Sequence, residues 1–102
     1  MMKVNFNTNF RDFDGQQLLI DGKPVCIGRI VAQCLFGGSN IRQTGNAQID
    51  NDKKMQAYNL CMRVMNAHSE IDITAEEAVL IKEAISGLTP GCFAQIVKLI
   101  EG

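Results

Sequence analysis

One segment, from about Asn51 or Asp52 to Ala67, most constrains what this chain can become. Its apolar residues recur at helical spacing. At 100° per residue Leu60, Val64, Ala57, Cys61, Met65, Tyr58, Met62 and Met55 cover an arc of about 220°. Only Gln56, Asn59, Arg63 and Asn66 form a polar strip. A helix on the surface of a small domain needs a narrower stripe, so this one is either central in its own fold or shared with a second chain. Asp50, Asn51 and Asp52 are all candidate N-caps for it.

The remaining segments supply what could surround that helix. With 102 residues the chain is expected to form a single domain over 1–102. Apolar residues at 46% and charged residues at 21% exclude a disordered chain. Residues 3–10 alternate, with Val4, Phe6 and Phe10 on one face and Lys3, Asn5, Asn7 and Asn9 on the other, which predicts a strand buried on one side. Asp14-Gly15 marks a hairpin turn, Gln16 to Ile20 returns as a second strand, and Asp21-Gly22-Lys23-Pro24 closes the unit. Residues 1–24 are therefore expected to form a β-hairpin.

A helical part follows over 25–102. Ile27, Ile30, Val31, Cys34 and Leu35 give the segment Val25 to Phe36 one apolar stripe, and Gly37-Gly38 ends it. A polar loop is expected at about 37–49, longer than most connections. Glu70 to Ile73 reads as a short extended segment. Thr74-Ala75-Glu76-Glu77 is a capping box opening a third helix to about Ser86, with Gly87 as its stop. Thr89 then caps a fourth helix with Pro90 at its first position and Phe93, Ile96, Val97 and Ile100 as its stripe. The expected fold is α+β, an N-terminal β-hairpin packed on a bundle of about four α-helices.

Few residues suggest chemistry. Cys26, Cys34, Cys61 and Cys92 are 8, 27 and 31 residues apart, without a C-x-x-C knuckle for zinc. Each lies in or beside an apolar stripe, where a free thiol acts as a small hydrophobe. Asp12-x-Asp14-Gly15 places its glycine too early for a calcium loop and lacks a glutamate at the twelfth position. His68, the single histidine, follows the second helix and suits a C-terminal cap better than a catalytic base beside Ser69. Glu76 and Glu77 are explained by their place in a first helical turn. No enzymatic activity, metal or cofactor is expected.

Charge is unevenly spread. Between Lys23 and Asn66 six bases (Lys23, Arg29, Arg42, Lys53, Lys54, Arg63) face Asp50 and Asp52, a net +4. From Ala67 onward two lysines face six acids, a net −4. The whole chain carries −1, too little to draw it to nucleic acid or acidic lipid by its overall field. No apolar run approaches the ~20 residues that span a bilayer. Met1-Met2-Lys3-Val4-Asn5 lacks the apolar segment of a signal peptide, which predicts a cytoplasmic protein.

The ordered residues also resemble a known group. They are Met2-Lys3-Val4-Asn5-Phe6-Asn7, Phe10-x-Asp12-x-Asp14-Gly15, Lys23-x-Val25-Cys26, Lys54-x-x-x-Tyr58-x-Leu60, Ile71-x-Ile73-Thr74-x-Glu76-Glu77-x-x-Leu80-Ile81-Lys82 and Ile100-Glu101. Together they resemble a family of small, mostly uncharacterised proteins of temperate bacteriophages and prophages. The resemblance implies a phage origin, with the host cytoplasm or the virion as location, and assigns no catalytic residue. Gly91-Cys92-Phe93-Ala94-Gln95 departs from the family's pattern, which has a glycine-glutamine pair there.

The function expected on these grounds is a non-catalytic phage accessory or assembly protein acting through protein–protein contact, with itself or with a phage or host protein. Self-association as a dimer is expected through Leu60, Val64, Ala57 and Cys61, on the least central part of the wide arc. The alternative is a nucleic-acid-binding accessory factor using segment 23–66 through Arg29, Arg42, Lys53, Lys54 and Arg63.

Overall fold

The computed structural model describes residues 2–102. It contains four helices and two small antiparallel sheets, an α+β fold. Met1, the first residue of the expected hairpin, lies outside the described residues.

The alternation at the N-terminus is buried as expected: Val4, Phe6 and Phe10 lie inside, with Asn5, Asn7 and Asn9 outside. The pairing differs. Only Met2–Val4 (β1) forms a regular strand, and its partner is Ile71–Ile73 (β4), antiparallel, with Val4 opposite Ile71 and Met2 opposite Ile73. Alternation determines which side of a strand is buried and leaves its neighbour open. The hairpin survives farther along. Arg11 bridges Gln17, the Asp12 N–H donates to the Gln16 carbonyl at 2.7 Å, and the Leu18 N–H donates to the Phe10 carbonyl at 3.0 Å. A second, two-residue hairpin joins Leu19–Ile20 (β2) to Lys23–Pro24 (β3). Its turn residues Asp21 and Gly22 have φ of 54° and 77°, the left-handed pair that such turns favour.

Helix α1, Ile27–Gly37, begins without a side-chain cap. Its first N–H groups are satisfied by the chain that precedes it: Ile27 donates to the Thr8 carbonyl at 2.7 Å and Gly28 to the Phe6 carbonyl at 2.9 Å. A Cβ on Gly28 would stand 2.8 Å from that Phe6 oxygen, so glycine is what lets strand and helix approach.

Helix α2, Ala47–Asn66, starts earlier than expected. Asn46 caps it by accepting the Gln48 and Ile49 N–H groups at 3.0 and 3.2 Å, and Asp50, Asn51 and Asp52 lie inside the helix. Helix α3, Ala75–Ala84, opens with the expected capping box, Thr74 Oγ1 accepting from the Glu77 N–H and Glu77 Oε1 from the Thr74 N–H. Helix α4, Pro90–Glu101, is capped by Thr89 with Pro90 first, as read.

One hydrophobic cluster joins these elements. Val4, Phe6 and Phe10 meet Val31 and Leu35 of α1, Leu60 and Val64 of α2, Ile81 of α3 and Ile96 of α4. No helix among the described residues is long and apolar enough to cross a membrane.

Candidate functional site

Helix α2 is not the central element its wide arc calls for: it packs on α1 along one narrow stripe and leaves most of its surface exposed, and that stripe is the expected interface. Ala57, Leu60, Cys61 and Val64 are between 1% and 4% exposed, enclosed by the chain's own core. The Cys61 thiol donates to the Ala32 carbonyl of α1 at 3.2 Å. A second chain could reach these residues only if the fold opened, so they are core and not interface.

The other side of the same arc remains outside. Met55, Tyr58 and Met65 are exposed, with Met62 half-buried on the same stripe. Alongside them Phe36, at the end of α1, is 68% exposed, and its ring lies 6.4 Å from that of Tyr58 at an interplanar angle of 46°. Phe36 stands one residue past the α1 stripe of Cys34 and Leu35, which is why it points outward. Between the end of α1 and α2 the two rings border a cleft of about 450 Å³, with Leu35 and Ile41 as further apolar lining and Arg42, Lys53, Lys54 and Asp50 among its polar groups. The groove continues past Phe36 along Met62 and Met65, with Arg29 and Gln33 beside it.

The connection from α1 to α2 forms one wall of the cleft, and two carboxylates hold it. Gly38 adopts the left-handed conformation and donates its N–H to the Cys34 carbonyl, ending α1. Glu83 of α3 accepts the Arg42 N–H at 3.0 Å and pairs with the Lys53 ammonium at 3.3 Å. Lys53 in turn donates to the Arg42 carbonyl at 3.0 Å. Farther along, Asp50 accepts from the Thr44 N–H and hydroxyl and from the Gly45 N–H at 2.8, 2.9 and 3.2 Å. The Thr44 backbone hydrogen bond holds the Asp50 carboxyl below its ordinary pKa of 3.8, aided by the Thr44 hydroxyl, Gly45 and Lys53.

The five cations proposed for nucleic acid divide accordingly. Arg29, Arg42 and Lys54 stand exposed around the groove. Lys53 is engaged by Glu83, and Arg63 is ion-paired to Glu77 while also donating to the Asp72 carbonyl. Two of the five therefore tie the basic segment to the acidic one within the fold.

The groups weighed for catalysis are dispersed. Glu77 serves the capping box and Arg63. Glu76 borders a shallow groove with Lys53, Gln56 and Val79, and Ser69 another with Lys3, Asn5, Glu70 and Asp72. His68 lies exposed beyond α2, whose end is capped instead by the Ala67 N–H on the Val64 carbonyl at 3.4 Å. Of the cysteines only Cys61 is buried, and Cys26, Cys34 and Cys92 are half-buried. Burial raises the Cys34 and Cys61 thiol pKa values, which keeps both thiols protonated and poorly nucleophilic.

The Phe36–Tyr58 pair was not singled out in the sequence. Tyr58 and the methionines were visible at the edge of the arc, but the meeting of Phe36 with Tyr58 depends on how α1 and α2 pack. Comparison with protein-family models, curated proteins and solved structures finds no match to this chain.

Proposed function

We propose that this chain is a non-catalytic accessory or assembly protein of phage or prophage type that binds protein through the outer face of α1 and α2. The observation that carries this reading is the exposed surface of Phe36, Tyr58 and Met65, with half-buried Met62 beside them, edged by Arg29, Arg42 and Lys54. Aromatic, methionine and arginine side chains are the types enriched at protein interfaces, and tyrosine and arginine dominate their binding energy. None of these exposed rings is required to fill the core, which Leu60, Val64, Ile81 and Ile96 already occupy.

A second reading has one observation in its favour. Exposed Phe36 and Tyr58 beside Arg42 and Lys54 form a small stacking platform of the kind that holds single-stranded nucleic acid. The cation count weighs against it. Three unengaged cations would release roughly two counterions from a single strand, a weak electrostatic contribution.

The two readings separate by photo-crosslinking in the cells that make the protein, with benzoylphenylalanine replacing Phe36 and, as control, Glu76. The expected result is a protein adduct at position 36 that resists nuclease and is absent at position 76. A nuclease-sensitive adduct would establish the nucleic-acid reading, and no adduct at position 36 would contradict both.

A further inference from the structure

The charge around the Phe36–Tyr58 groove decides what it can hold. Arg42 and Lys54 stand beside it and Arg29 beside its continuation, against Asp50 as the one carboxylate among its lining residues, so the rim is net positive. Two copies meeting groove to groove would bring these cations together, which like-charge repulsion opposes. The complementary surface is apolar and flanked by carboxylates.

This chain carries such a surface elsewhere. Phe13, at the tip of the turn Asp12–Gly15, is 99% exposed between Asp12 and Asp14. A phenylalanine wholly in water adds nothing to the core, yet the turn that displays it is held from every side. The Gly15 N–H donates to the Asp12 carbonyl at 3.0 Å, and Asp12 Oδ1 accepts the N–H groups of Asp14 and Gln16 at 2.9 and 3.1 Å. Arg11 Nη1 reaches the Gly15 carbonyl at 3.1 Å, offsetting one of the two carboxylates and leaving the tip acidic. At its base Gln95 of α4 grips the Arg11 backbone twice, accepting from its N–H and donating to its carbonyl, each at 2.8 Å. A side chain displayed on so fixed a turn loses little conformational freedom on docking.

We propose that the Asp12–Gly15 turn of one copy docks in the Phe36–Tyr58 groove of a second copy, with Phe13 in the cleft and Asp14 towards Arg42 and Lys54. The proposal rests on the groove being a protein-binding surface and names its occupant. The contact joins two different surfaces, so a pair linked by a single such contact retains one free turn and one free groove. Further copies can then add until the arrangement closes.

Sedimentation velocity over a concentration series tests this with the full chain. Wild type should associate with rising concentration, more weakly at high salt, where the acidic turn and basic rim are screened. Phe13→Ser and Phe36→Ser should each remain monomeric and keep the wild-type denaturation midpoint. An equimolar mixture of the two variants should form a species of twice the monomer mass, because one retains its groove and the other its turn. A mixture that stays monomeric while wild type associates overturns the proposal, as does either variant associating like wild type. A wild type that is monomeric throughout also overturns it. In that last case a protein adduct at position 36 still supports the groove as a binding surface for another protein, and its absence removes both readings together.

Discussion

Thr74 and Glu77 exchange two hydrogen bonds across a single turn, and each satisfies a backbone or side-chain group that would otherwise face water alone. Such a motif can be read directly from a sequence because all its parts lie within four residues. Thr74→Ala should therefore lower stability by about 1 kcal/mol in chemical denaturation. An unchanged midpoint would show that Thr74 does not cap α3. The α2 cap was not legible in the same way. Asn46, Asp50, Asn51 and Asp52 are all competent residue types within one short polar run, and the cap is Asn46, with Asp50 engaged by Thr44 and Gly45 instead. Gly28 was invisible for a different reason. Its requirement comes from the carbonyl of Phe6, distant in sequence, and no local pattern announces a close approach of that kind.

Elements were legible in their kind and order, and less so in their partners. All four helices and the extended segment before Thr74 follow from periodicity and punctuation, whereas the pairing of β1 with β4 joins segments roughly seventy residues apart and leaves no local trace. The segment between α1 and α2 looked like a long polar loop. Its order comes from two carboxylates, Glu83 and Asp50, that reach it from neighbouring helices. Asp50 makes this clamp sensitive to acid. Its folded pKa is lowered, so the stability it contributes is complete above the ordinary carboxylate value of 3.8 and disappears as pH falls through the lower folded value. Wild type should lose stability more steeply than Asp50→Asn across that acidic window, while the two run parallel well above it. Identical slopes in pH-dependent denaturation would show that the clamp carries no linkage.

At the scale of the whole molecule, the basic and acidic halves of the sequence meet inside the fold through Lys53–Glu83 and Arg63–Glu77. The exposed cations Arg29, Arg42 and Lys54 then lie around the α1–α2 groove. Arg29, Arg42 and Lys54 are among the five cations that stand out in the sequence, and the other two, Lys53 and Arg63, are held in ion pairs that only the fold reveals. The aromatic part of the candidate site was not legible there, because Phe36 and Tyr58 become neighbours only through the packing of two helices. The wide arc of α2 reads as too broad for a peripheral helix, yet the fold buries only one side of it, with Leu60 and Val64 facing the core and Tyr58 and Met65 facing outward. The functional reading depends on that division, since a ring that holds the fold together is not free to hold a partner. Chemical denaturation of Phe36→Ser beside Leu60→Ala measures it directly. Phe36→Ser should leave stability within about 0.5 kcal/mol of wild type, as substitutions at exposed positions do. Leu60→Ala should lose about 2–5 kcal/mol to the cavity it opens. A loss at Phe36 as large as that at Leu60 would place Phe36 in the core and contradict the assignment of this face to binding.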